Sequence, residues 1–109
     1  MVVFRSGCRF CSESVPFYRR IVASAATHKG RTRIVGVTSD APKLAEEYLG
    51  TSGVSLDAIV ASVREPVSAM GTPTLLLTDR TGRIRHIWSG RLSPQAEEEV
   101  IAAVVAPPL

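Results

Sequence analysis

A two-cysteine stretch between a short apolar run and a long amphipathic one constrains this chain more than any other feature. Ser6-Gly7-Cys8-Arg9-Phe10-Cys11 holds the only two cysteines in 109 residues, spaced C-x-x-C. Residues 1–4 are continuously apolar, which predicts a strand buried on both faces. From about residue 12 to 28, apolar side chains recur at Val15, Tyr18, Val22 and Ala25, flanked by Phe17 and Ile21, the spacing of a helix with a wide buried face. A strand that turns sharply into a helix at Cys8 sets that thiol beside free N–H groups and the positive dipole end, which favour a thiolate. Cys11 falls one turn later on the same face, within reach of a disulfide to Cys8. Pro16 lies inside the amphipathic stretch and predicts a bend there. Gly30 is the expected stop.

Length allows one domain, residues 1–109, with a single core. No apolar run approaches the roughly 20 residues of a membrane span. The opening directly on a core-like strand shows no N-terminal signal and suggests that upstream sequence, including further strands, is missing. The net charge of +3 is uneven: up to Arg33 seven basic residues face Glu13 alone. Nucleic-acid binding would call for more cations with aromatic residues among them, so a solvated basic face is the simpler reading. Two cysteines make no disulfide scaffold, and no second pair completes a four-ligand zinc site. His28 and His86 lie far from the pair in sequence, so no metal is expected.

The rest of the chain continues the alternation. Residues 33–38 (R-I-V-G-V-T) read as a second strand. Asp40 is the expected cap of a short helix with apolar positions at Leu44, Ala45, Tyr48 and Leu49, closed by Gly50. The strand–helix–strand unit implies parallel strands and a right-handed crossover. Residues 57–61 are a candidate edge strand, and 65–71 a loop with room for one helical turn. Thr74-Leu75-Leu76-Leu77-Thr78 reads as a buried strand, Asp79-Arg80-Thr81-Gly82 as a turn, and 83–89 as its hairpin partner. Ser93-Pro94 starts a last helix that buries Val100, Ile101, Val104 and Val105. The predicted class is α/β: a mixed four- to five-stranded sheet with helices on both faces, the first strand central.

Taken together, three features resemble the thioredoxin superfamily, and within it the TlpA/ResA-like redoxin group. They are strand–C-x-x-C–helix at Cys8 and Cys11, the helix proline Pro16 five residues after the second cysteine, and Gly71-Thr72-Pro73-Thr74 followed by an apolar strand and D-x-x-G. The resemblance spans essentially the whole chain. It implies a thioredoxin-like fold, a cis bond before Pro73 facing the cysteine pair, and thiol–disulfide oxidoreductase activity on protein thiols or disulfides, with a redox partner protein and no cofactor. It also implies an extracytoplasmic bacterial setting. The chain departs from the pattern in having Gly7 where a Trp usually precedes the first cysteine, Arg9 and Phe10 between the cysteines, and no evident buried acid for proton transfer.

On this reading Cys8 is the exposed, low-pKa nucleophile and Cys11 the buried resolving thiol. Arg9 and Phe10 modulate Cys8, and Thr72 and Pro73 offer backbone to an extended partner segment. The domain is expected to act as a monomer without nucleic acid or membrane contact. Two alternatives stand beside this one. One is a peroxiredoxin-like thiol peroxidase with Cys11 as the peroxide-reactive thiol; the other is a non-catalytic binding module with a structural dithiol.

Overall fold

A computed structural model of the chain describes residues 1–28, 32–62 and 71–106. The elements in order are β1 (Val2–Phe4), α1 (Arg9–Glu13), α2 (Val15–Thr27), β2 (Val35–Thr38), α3 (Pro42–Ser52), β3 (Ala58–Ala61), β4 (Thr74–Thr78), β5 (Ile84–Ser89) and α4 (Pro94–Val105). The strands form one sheet in the order β3-β2-β1-β4-β5. As predicted, β1 is central and fully buried. It runs parallel to β2, with Val3 opposite Val37, and antiparallel to β4, with Val3 opposite Thr74. β3 is the parallel edge strand beside β2, and β5 closes the hairpin with β4. Both parallel pairs need a crossover, which α1–α2 and α3 supply.

The alternation of β1 sorts the core into two layers. Val2 and Phe4 face a large cluster with Tyr18 and Ile21 of α2, Ala45 and Leu49 of α3, and Val100 and Val104 of α4. Val3 faces the other way, with Val37 and Leu76. Helices α2, α3 and α4 therefore share one face, with α2 tied to α4 by Arg20 and Glu98 at 2.7 Å. Among the described residues the second face carries no helix; the loop expected over 65–71 lies almost wholly outside them, as does Gly30. Gly36 lets Phe4 lie flat across β2: a Cβ there would come within 2.9 Å of the Phe4 ring and 2.6 Å of Leu56. Phe4 in turn stacks on Tyr48 at 6.1 Å.

Three local expectations change. The first helix is not one bent rod but two helices meeting at Ser14. Pro16 has no N–H for the Ser12 carbonyl and its ring crowds that carbonyl, so α1 ends and α2 begins with the proline in its first turn. Asp40 does not cap α3; Ala41 holds the N-cap position with no side-chain bond. Gly50 stays inside α3, and the stop is Gly53, whose φ of +70° is the left-handed conformation that glycine adopts without strain. Ser93 does cap α4, its Oγ accepting from Ala96 N–H at 3.2 Å.

Candidate active site

The chain leaves β1 at Phe4, turns through residues 5–7 and enters α1 at Cys8. The turn closes with the Cys8 N–H on the Arg5 carbonyl at 3.3 Å. The Ser6 N–H donates to Asp40 Oδ2 at 2.7 Å, so the carboxylate expected to cap α3 instead braces this turn from the end of the neighbouring strand β2. Cys8 holds the N-cap position in extended conformation, φ −89° and ψ 117°. Its Sγ accepts the Cys11 N–H at 3.1 Å, the bond a serine or aspartate oxygen makes at other helix starts. Both cysteines are free thiols.

The loop before β4 forms the opposite wall. The Thr72–Pro73 bond is cis, as the resemblance implied, and Pro73 is buried. The Pro73 carbonyl accepts the Gly90 N–H at 2.8 Å, and the Thr74 hydroxyl donates to the Gly71 carbonyl at 2.5 Å, so the loop is held at both ends. Thr72 contributes its side chain, which sequence reasoning missed. Its Oγ1 accepts from Arg5 Nε at 3.2 Å and hydrogen-bonds the Cys8 sulfur.

These contacts split the two thiols. Burial alone pushes the Cys8 thiol up, but hydrogen bonds from the Cys11 thiol, the Thr72 hydroxyl and the Cys11 N–H, together with the Arg5 charge, outweigh it and leave Cys8 below the ordinary cysteine value. The Cys11 thiol is pushed up to about 12, first by desolvation, then by its hydrogen bond to Cys8 and the charge there. One expectation is corrected: Cys8 is not exposed. It keeps 5% of its surface and Cys11 none, because the groups that stabilise the thiolate also cover it.

Arg9 and Phe10, expected to modulate Cys8, both keep much of their side chains at the surface. Arg9 Nε meets Glu13 Oε1 at 3.3 Å, and its side chain is 85% exposed. Phe10 is 48% exposed. Glu13 also takes Arg91 at 3.0 Å, which brings the loop after β5 to the rim of the site. Nothing in the sequence linked Asp40 or Arg91 to the cysteines, 32 and 83 residues from Cys8. Behind the pair, the Tyr48 hydroxyl lies 3.0 Å from the Ser12 hydroxyl. Among the described residues no group of three or more His, Cys, Asp or Glu side chains is placed to hold a metal ion.

No family model matches the sequence, and no curated protein does. Solved structures do. One, described as a thiol:disulfide interchange protein DsbE from Chlorobium tepidum, superposes with a TM-score of 0.73 at 20% identity, covering 96% of this chain and 77% of that one. Another, described as a thiol-disulfide isomerase from Corynebacterium glutamicum, gives a TM-score of 0.64 at 18% identity, covering 96% and 78%. With the mixed five-stranded sheet, the cysteine pair at the end of the central strand and the cis proline beside it, these superpositions establish that the chain has the thioredoxin-like fold.

Proposed function

We propose that this protein is a thiol–disulfide oxidoreductase that exchanges disulfides with protein partners through Cys8 and Cys11. The observation that carries the reading is the sulfur of Cys8 at a helix start, accepting the Cys11 N–H at 3.1 Å, with the two thiols shifted in opposite directions. In the reducing direction the Cys8 thiolate attacks one sulfur of a partner disulfide. A Cys8–partner disulfide forms, and the partner's other sulfur leaves as a thiolate. Cys11 then loses its proton and attacks Cys8, forming the Cys8–Cys11 disulfide and releasing the partner as a dithiol. Two electrons pass from the pair to the partner, and the reverse sequence oxidises a partner dithiol. A second redox protein restores the starting state.

Thr72 and Pro73 stand beside Cys8, where the partner's cysteine would lie, residue 72 offering its backbone to an extended segment. No organic cofactor or metal takes part. We place this chemistry outside the cytoplasm, where protein disulfides persist. Among the described residues no helix is long and apolar enough to cross a membrane. Peroxidase chemistry at Cys11 suits the geometry poorly, since that thiol has no exposed surface and is held protonated.

The test is trapping. Cys11→Ser should accumulate mixed disulfides with a reducible protein such as insulin, and Cys8→Ser should accumulate none. If both single variants reduce insulin as fast as the parent, the dithiol is not the catalyst and the reading fails.

A further inference from the structure

The rim of the Cys8 site carries a charge pattern that the exchange chemistry does not require. Arg5 at the end of β1, Arg9 on α1 and Arg91 after β5 converge on it from three separate segments. Among the described residues Arg5 meets only the Thr72 hydroxyl and no carboxylate. Arg9 and Arg91 share the single carboxylate of Glu13, one on each oxygen, and remain 85% and 59% exposed. Asp40, the other acid near the turn, is engaged with the Ser6 N–H. Two guanidinium groups thus share one carboxylate, a third is held on Thr72 at the same turn, and Phe10, next to Arg9 in the chain, is 48% exposed. Exposed ion pairs of this kind contribute little to folding, whereas exposed arginines together with an exposed aromatic side chain are the composition of a recognition surface.

We propose that this rim selects protein partners whose reactive cysteine lies in an acidic segment, with Asp or Glu beside the cysteine meeting Arg9 and Arg91 and a large apolar residue resting on Phe10. The inference rests on the oxidoreductase reading and specifies its substrate class. An acidic flank would replace or supplement Glu13 as the counter-ion of the two arginines. A basic flank would bring like charge against them, and such a mismatch acts mainly on the encounter rate.

The experiment compares exchange rates of the reduced protein with three disulfides. Two are peptides in which the same cysteine and Phe are flanked by Glu or by Lys; the third is uncharged 2-hydroxyethyl disulfide. At low ionic strength the Glu peptide should react about tenfold or more faster than the Lys peptide. The ratio should fall toward one near 0.5 M salt, where a Debye length of about 4 Å is too short for charge steering. In Arg9→Gln/Arg91→Gln the low-salt ratio should fall several-fold, and in Glu13→Gln it should rise. Equal rates for the two peptides, with 2-hydroxyethyl disulfide reacting readily, would overturn the proposal and leave the oxidoreductase reading standing. A ratio unchanged in the double variant would overturn it too. Inertness toward all three disulfides would remove the oxidoreductase reading, and the proposal with it.

Discussion

The Ser6 backbone N–H lies 2.7 Å from Asp40 Oδ2, so the turn that delivers Cys8 to its helix is braced by a carboxylate at the end of the neighbouring strand. Thr38, fully buried, sets that carboxylate in place: its hydroxyl accepts the Asp40 N–H at 3.1 Å. A hydrogen bond to a charged acceptor contributes about 1.5–3 kcal/mol. Asp40→Ala should therefore lower the unfolding free energy in urea by about 1.5 kcal/mol, and Asp40→Asn, which keeps an oxygen acceptor, by less. No change in Asp40→Ala would mean that the brace is idle.

Thr72 should tune Cys8 through its hydroxyl. Thr72→Val keeps the shape, removes the hydrogen bond to the sulfur and strands Arg5 without its acceptor. The Cys8 titration midpoint, read from thiolate absorbance, should rise in Thr72→Val and return in Thr72→Ser. If Thr72→Ser behaves like Thr72→Val, the methyl group rather than the hydroxyl is responsible.

The fold was largely legible because its signals are local. The continuous apolar run at residues 1–4, helical spacing after Cys11 and the hairpin turn at Asp79 each name an element from adjacent residues. The cysteine pair and Pro73 were legible for the same reason, as short motifs. What escaped depends on contacts between distant segments. Asp40 carries the sequence signal of a helix cap, yet the Ser6 N–H competes for it successfully. Arg91 reaches Glu13 only once β5 is laid beside β4. Cys8 reads as exposed at a helix start, and only the packed Thr72–Pro73 loop covers it. The break at Ser14 was visible as a proline, but a bend and a clean division into two helices look alike in sequence.

Tyr18 offers a stability test. Its hydroxyl is buried with no hydrogen-bond partner among the described residues; the nearby Ser14 hydroxyl donates to the Phe10 carbonyl at 2.7 Å. A stranded buried polar group costs about 1–3 kcal/mol. Tyr18→Phe should therefore be neutral or stabilising by up to about 1 kcal/mol in chemical denaturation. A loss of more than about 1 kcal/mol would show that the hydroxyl makes a bond.

Cys11 should leave a pH signature on the reduced protein. Its thiol is raised to about 12 in the fold, chiefly by desolvation, against about 8.5 in an unfolded chain. The native state keeps the proton that the unfolded state gives up. The contribution is complete below about pH 8.5 and is lost as pH rises toward about 12. Cys8, shifted down, has the opposite sign: its contribution is present above about 8.5 and is lost as pH falls through its folded value. Subtracting the alkaline unfolding profile of Cys8→Ser/Cys11→Ser from that of Cys8→Ser isolates Cys11. The difference should show Cys8→Ser losing stability above about pH 9, and a flat difference would mean that Cys11 is not held protonated.

The division of labour between the two thiols is tested most directly by alkylation rate against pH, with the labelled cysteine identified in each case. Reduced parent protein and Cys11→Ser should label at Cys8 with a midpoint below that of a free cysteine, about 8.5. Cys8→Ser should label far more slowly at neutral pH, its thiol having no exposed surface. Fast labelling of Cys11 at neutral pH, with Cys8 unreactive, would reverse the assignment and contradict the mechanism.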